Sequence, residues 1–194
     1  MKRSKFEEDE LIRSICEGDL SAFEQFVELY RTLVYSTCYR LLGDVHLAED
    51  ATQDVFLQVY QSVEFFRGES KVLTWVYRIA VNRSLNIIRR NKKFRWIKKL
   101  GSSLKENAEE NMPISPPREE PDKIFEEKES QSLLRNVIDS LPEKQKVAFV
   151  LHKYESLTSK DISEILGISI RSVEARLHRA KSNLQKKLVA LLKK

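Results

Sequence analysis

The chain has 194 residues, of which 41% are hydrophobic and 32% charged: enough apolar content for a buried core, and too much charge for a protein embedded in lipid. Five Gly and five Pro are few for this length, which argues against a turn-rich all-β chain and for helices with few breaks. The net charge of +5 is unevenly placed. No acid occurs from Ser70 to Lys105, acids predominate from there to Ser130, and Glu174 is the only acid after Arg171, a pattern that points to two separate contacts with a polyanion.

The N-terminus, MKRSKFEEDE, lacks the apolar run of a signal peptide. No apolar run approaches the roughly 18 residues of a membrane span, so a cytoplasmic chain without membrane insertion is expected. Leu11, Ile12 and Ile15 predict a short first helix, and Cys16 and Cys38, which form no CxxC pair, are expected as buried thiols on apolar helix faces. Asp19 or Ser21 can cap a helix carrying Phe23, Phe26, Val27, Tyr30, Leu33, Val34, Thr37, Cys38 and Leu41 at i, i+3, i+4, i+7 spacing, with Gly43 at its end. The next helix starts near His46, with Leu47, Ala51, Val55, Val59 and Val63 inward. After Gly68, a third long helix is predicted over about Lys71 to Lys93, with Val72, Val76, Ile79 and Ala80 inward.

Residues 1–94 thus read as a helical bundle. Residues 95–129, with MPISPPREEP and repeated glutamates, have proline and charge without apolar periodicity and are expected to form a flexible linker. Residues 130–194 form the second block. Leu133, Leu134, Val137, Ile138 and Leu141 mark one helix, and Pro142 starts the next, through Val147, Val150, Leu151 and Tyr154. Leu157 to Leu184 then reads as two short helices about a tight turn, Ser159 to Leu166 and Ile170 onward. Gly167 sits at the turn and Ser169 at the second cap. Ile162, Ile165, Leu166, Ile168, Val173 and Leu177 close its core, and Arg171, Ser172, Glu174, Ala175, Arg176, His178 and Arg179 face outward. That is a helix-turn-helix whose basic second helix fits a major groove; the plainer alternative is a packing hairpin with a solvated face. The fold class is therefore all-α: two small helical domains, an N-terminal bundle and a C-terminal helix-turn-helix domain, on a flexible linker.

Two stripes in the first block bear on function. Asp50, Asp54, Leu57 and Gln61 fall at i, i+4, i+7, i+11, with Glu49 and Gln53 beside them. An apolar residue on an acidic face is either a partner anchor or a stray leucine of a solvated face. A metal reading of Glu49, Asp50 and Asp54 is weaker, since no His joins them and adjacent helix positions point about 100° apart. Asn82, Asn86, Arg89 and Lys93 repeat the same spacing on the third helix, flanked by Phe65, Phe66, Trp75 and Tyr77. Asn can read base edges, Arg and Lys can hold phosphates, and exposed aromatics can stack unpaired bases. At least one of Trp75 and Tyr77 is expected in the core instead. The run RRNKKFRWIKK at 89–99 also fits a membrane-surface or nonspecific nucleic-acid patch.

HLAEDATQDVFLQVYQSVEFFRGES followed by TWVYRIAVNRSLNIIRR resembles the second conserved region of extracytoplasmic-function sigma factors. LPEKQKVAFVLHKYESLTSKDISEILGISIRSVEARLHRAKSNL resembles their fourth region. The resemblance covers about residues 9–94 and 130–188, in the family's order. It implies a dissociable initiation subunit of bacterial RNA polymerase, with no catalytic centre, metal or cofactor of its own and with an anti-sigma factor as a further partner. It implies that Asp50, Gln53, Asp54, Phe56 and Leu57 bind core RNA polymerase. It implies that Arg67, Lys71, Thr74, Trp75, Asn82, Arg83, Asn86, Arg89 and Arg90 read and open the minus-ten element of promoter DNA. The outward residues of the helix from Ile170 would read the minus-thirty-five element. Ser163 and Glu174 depart from the family, which often has a small residue at the first position and usually a basic one at the second. Two rivals stand beside this reading: a stand-alone helix-turn-helix regulator with a sensor bundle, and a nucleic-acid enzyme using the carboxylates near Asp50.

Overall fold

The computed structural model describes residues 5–101 and 133–192. The described residues form helices α1 (Lys5–Cys16), α2 (Leu20–Leu42), α3 (Val45–Ser62), a 3₁₀ turn (Val63–Phe65) and α4 (Val72–Gly101). After the undescribed stretch come α5 (residues 133–139), α6 (Glu143–Lys153), α7 (Ser159–Leu166) and α8 (Ile170–Leu192).

Capping chemistry sets the ends where the sequence expects them. The Asp19 carboxylate accepts from the Ser21 and Ala22 amides at 2.8 and 3.3 Å and so starts α2. Asp44 does the same for α3 through Leu47, at 2.9 Å. Gly43 closes α2 at φ 78°, a left-handed conformation that costs glycine nothing. Phe26, Val34, Cys38, Val55, Val59, Val76 and Ala80 are fully buried where α2, α3 and α4 meet. Each larger apolar side chain there contributes roughly 1.5–3 kcal/mol by burial.

In the C-terminal part, Thr158 and Asp161 form a reciprocal capping box at the start of α7. Gly167, at φ 63°, turns the chain, and the Ser169 hydroxyl accepts from the Ser172 amide at 3.2 Å to start α8. Ile162, Ile165, Val173 and Leu177 lock α7 against α8. Val137, Ile138 and Leu141 of the α5 segment pack on Ala180 and Leu184 farther along α8.

The structure departs from expectation in four places. The α4 helix runs to Gly101, so the boundary placed at 94 falls inside a helix, and the remainder of the expected linker lies outside the described residues. Cys16 is exposed, because it follows the buried trio Leu11, Ile12 and Ile15 by one step of about 100° around the helix. Leu133 and Leu134 are exposed as well, and Tyr154 partly so. The fourth departure is the largest: the two domains share a core. Leu41 of α2 and Tyr77 and Val81 of α4 cluster with Val147, Leu151, Ile162 and Ile165 of α6 and α7. The α4 helix is therefore buried on two faces, Val72, Val76, Ile79 and Ile87 toward its own bundle and Tyr77 and Val81 toward the other domain.

Candidate nucleic-acid interface

The acidic stripe on α3 is real, and it borders a groove. Asp50, Gln53 and Leu57 are exposed, Leu57 at 59%. A groove of about 1070 Å³ runs between α2 and α3, lined by Phe23, Val27, Arg31 and Tyr35 on one side and Glu49, Gln53, Phe56 and Leu57 on the other. Phe56 corrects the expectation of a surface contact: it is 8% exposed and packs edge-on against Phe26, ring centres 6.5 Å apart. It forms the groove's floor, since it follows Val55 onto the inner face. Asp54 is half-buried and not free. Its carboxylate accepts from Nε of Arg83 at 2.9 Å and from Nη2 of the same guanidinium, so the acidic helix is tied to the next one.

On α4 and the loop before it, Arg67, Lys71, Asn82, Asn86, Arg89 and Arg90 are exposed. Thr74 corrects the expectation: it is 4% exposed, because it falls at i, i+3, i+7 with Tyr77 and Val81, on the face turned to the C-terminal domain. Trp75 is half-buried against Phe66, ring centres 4.9 Å apart. Phe65 stands 71% exposed. Tyr77 is a core residue at 3%; its hydroxyl donates to Glu155 at 3.0 Å. Burial first, then the Glu155 charge, push that phenol far above the ordinary tyrosine range.

Arg171, Ser172, Glu174, Ala175, His178 and Arg179 on α8 are exposed and Arg176 is half-buried. They surround Val173, Leu177 and Ala180, which are inside. Ser172, Ala175, Arg176 and Arg179 line a cleft of about 670 Å³ whose far wall is Lys92 of α4 and whose floor is the start of α6. The two expected DNA faces thus lie side by side in this closed chain.

Three sets of polar contacts that no sequence pattern announced hold it closed. Glu155, in the loop between α6 and α7, accepts from Arg40 at 2.6 Å as well as from Tyr77, while the Arg40 guanidinium lies over the Tyr154 ring. Lys146 is 8% exposed and donates to the Leu41 carbonyl and to Asp139, each at 2.7 Å. Arg135 donates to the Gly43 carbonyl at 2.9 Å. Both cations therefore cap the carbonyl end of α2 from the other domain. At the opposite end of the seam, Lys92 pairs with Glu143 at 2.5 Å and Arg89 approaches the same carboxylate at 4.0 Å.

Two family matches coincide with these domains: Sigma-70 region 2 over residues 26–94 and Sigma-70, region 4 over residues 131–184. The chain is 32% identical over 177 residues to the ECF RNA polymerase sigma factor SigW of Bacillus subtilis, covering 91% of this chain and 94% of that one. The chain belongs to the extracytoplasmic-function sigma factors. It is also 30% identical to the ECF RNA polymerase sigma-E factor of Haemophilus influenzae, over 94% of this chain and 95% of that one. Two solved structures share this sigma-factor fold. CnrH in complex with the cytosolic domain of CnrY has a TM-score of 0.67 at 17% identity, covering 93% of this chain and 96% of that one. The sigma factor RpoE in complex with the anti-sigma factor NepR from Bartonella quintana has a TM-score of 0.56 at 20% identity, covering 86% and 96%.

Within this sigma factor the sequence stripes missed half of the groove. Arg31 and Tyr35 continue the Phe23, Val27 row of α2 at i+4 spacing, and their place on a groove becomes visible only once α3 lies beside them. Lys144, at the start of α6, likewise joins the α8 face only in three dimensions.

Proposed function

We propose that the chain binds core RNA polymerase and directs promoter recognition, strand opening and transcription initiation, acting in the cytoplasm. Asp50, Gln53 and Leu57 on the rim of the α2–α3 groove bind the polymerase, with Arg31 and Tyr35 on its other rim. Arg67, Lys71, Asn82, Asn86, Arg89 and Arg90 hold and read the minus-ten element, and Arg83 joins them when released by Asp54. Trp75 and the exposed Phe65 supply aromatic surface for an unpaired base. Arg171, Ser172, Glu174, Ala175, Arg176, His178 and Arg179 read the minus-thirty-five element in the major groove. Glu174 can accept from a cytosine amino group there. The chain contributes no bond-making chemistry; that belongs to the polymerase. An anti-sigma factor is its regulatory partner, a reading supported by the solved complex of RpoE with the anti-sigma factor NepR.

One observation carries this reading. Both conserved regions are present in order, and each presents an exposed basic helix on a packed scaffold. A stand-alone regulator would not require the groove edged by Leu57 and the acidic stripe. The test is transcription in vitro with core polymerase on a pool of random promoter sequences. Initiation from a selected subset with two spaced elements is expected. Sequence-selective binding by the free chain, with no gain from core polymerase, would favour the stand-alone regulator.

A further inference from the structure

The α4 helix continues to Gly101, beyond residue 94 where the region 2 match ends. On that extension Trp96 is 66% exposed. A single exposed aromatic is ordinary on a protein surface; its register is what matters. Residues 82, 86, 89, 93 and 96 stand at i, i+4, i+7, i+11 and i+14. At 100° per residue all five fall within an arc of about 80°. Asn82, Asn86, Arg89 and Lys93 are exposed with it. The stripe is about 21 Å long at 1.5 Å per residue, and no acid interrupts the sequence from Ser70 to Lys105. An indole thus ends a continuous row of amide and cationic groups, the combination that holds phosphates and stacks a base.

We propose that Trp96 is a stacking residue for an unpaired nucleotide of opened promoter DNA, extending the α4 face about two turns beyond Arg89. The proposal rests on the initiation-subunit reading above. A lipid surface fits the extension less well. Phe94 is also exposed, at 68%, but lies about 160° around the helix from Trp96, so Trp96 and not Phe94 shares the face of Asn82, Asn86, Arg89 and Lys93. Up to Trp96 that face carries only amide and cationic side chains, not the broad apolar face that lies on a bilayer. Closure of the domains engages Arg89 and Lys92 with Glu143 and leaves Lys93 and Trp96 in solvent, so the indole is reachable before and after the domains part.

The test uses holoenzyme assembled from the full chain and core polymerase, with fork-junction promoter DNA carrying 2-aminopurine at successive unpaired positions. Wild type should quench one or two adjacent positions. Trp96→Ala should abolish that quenching and weaken fork binding about five- to 150-fold, the range of one stacked base. Trp96→Phe should retain most of both, and binding to fully duplex DNA should not change in either variant. Identical quenching profiles and fork affinities for wild type and Trp96→Ala would overturn the proposal while leaving the function reading intact. A wild-type holoenzyme that opens no promoter would overturn both. A blue shift of emission with anionic phosphatidylglycerol vesicles, present in wild type and absent in Trp96→Ala, with no response to fork DNA, would also overturn it in favour of a membrane contact.

Discussion

The two helices proposed to face DNA differ in what the closed chain does to them. On α8, Arg171, Glu174, His178 and Arg179 stand in solvent while Val173, Leu177 and Ala180 fix the helix from behind. On α4 four cations are already engaged within the protein, Arg83 by Asp54, Arg78 by the Glu164 carbonyl, and Arg89 and Lys92 by Glu143, while Arg90 and Lys93 are exposed. The helix proposed to read the upstream element is presented ready-made, whereas the engaged cations of α4 would have to exchange protein partners for DNA. The cleft lined by Lys92 of α4 and by Ser172, Ala175 and Arg176 of α8 also sets the two faces beside one another. One turn of DNA is about 34 Å. Engaging two elements a turn or more apart is then expected to require the seam to open. The seam between the domains, and not only the reach of the linker, governs what the free chain can bind.

The largest expected effect comes from the core that both faces share. Ile162 is fully buried where α7 meets α6 and α8. Ile162→Ala should cost about 2–5 kcal/mol in urea unfolding and should abolish upstream-element binding along with the seam. A loss under about 1 kcal/mol would show that α7 does not anchor α8, and the contrast between a rigid α8 and an engaged α4 would collapse.

Next in size is the seam itself. The Glu155 side chain is 8% exposed and holds Arg40 and Tyr77 together; its neighbour Ser156 sits at a left-handed φ of 53°, a conformation that surrounding contacts must enforce. Glu155→Gln keeps the shape and removes the charge, which should weaken closure by about 1.5–3 kcal/mol, the scale of hydrogen bonds to a charged group. Small-angle scattering should then show a larger radius of gyration for the free chain, and binding of paired promoter elements without polymerase should improve. An unchanged scattering profile would mean that the apolar contacts alone hold the seam. Tyr77 adds a pH signature. Its folded-state pKa is raised, so the stability it contributes is complete below the ordinary phenol value of about 10 and is lost as pH rises from there toward the folded value. Tyrosinate absorbance should show Tyr77 ionising only as the chain unfolds; a signal from the folded chain near pH 10 that disappears in Tyr77→Phe would contradict its burial.

On α8, Arg171→Ala should cost about 1–3 kcal/mol on the cognate upstream element and relax preference at one base pair. A uniform loss on all sequences that fades at high salt would instead make Arg171 a phosphate contact. No measurable change would remove α8 as the reading helix.

Local signals were legible where one helix sufficed to explain them. Asp19, Gly43, Gly167 and Ser169 act on their own termini, so those helix ends could be read residue by residue. The helix-turn-helix was equally plain, because its core residues lie within about twenty positions. The double burial of α4 was not legible. Thr74, Tyr77 and Val81 form a second apolar-polar row whose partner is more than sixty residues away, and a single periodicity count finds only the Val72, Val76, Ile79 face. Phe56 was misplaced for a related reason: it neighbours the exposed Leu57 in sequence, yet one step of about 100° turns it inward. Lys146 and Glu155 looked like ordinary surface charges, since nothing local says that a carbonyl end or a guanidinium from another domain will meet them.

The smallest effect concerns the link between the two functions of the N-terminal bundle. Asp54 belongs to the helix proposed to meet polymerase, Arg83 to the helix proposed to meet DNA, and the two are joined at 2.9 Å. Both side chains are more than one-third exposed, so their coupling should be only about 0.2–1 kcal/mol. That is enough to bias where the guanidinium points. A partner that engages Asp54 releases Arg83 toward phosphate, and an equivalent release can be made by substitution. Asp54→Asn should raise the free chain's affinity for a single-stranded minus-ten oligonucleotide by up to about fivefold, the upper end of that coupling, with the gain shrinking as salt rises. Adding Arg83→Gln should cancel the gain, and the double-mutant cycle should return the coupling energy. A fall in affinity with Asp54→Asn alone would show that the carboxylate holds Arg83 in its reading position, and that polymerase binding to α3 does not free it.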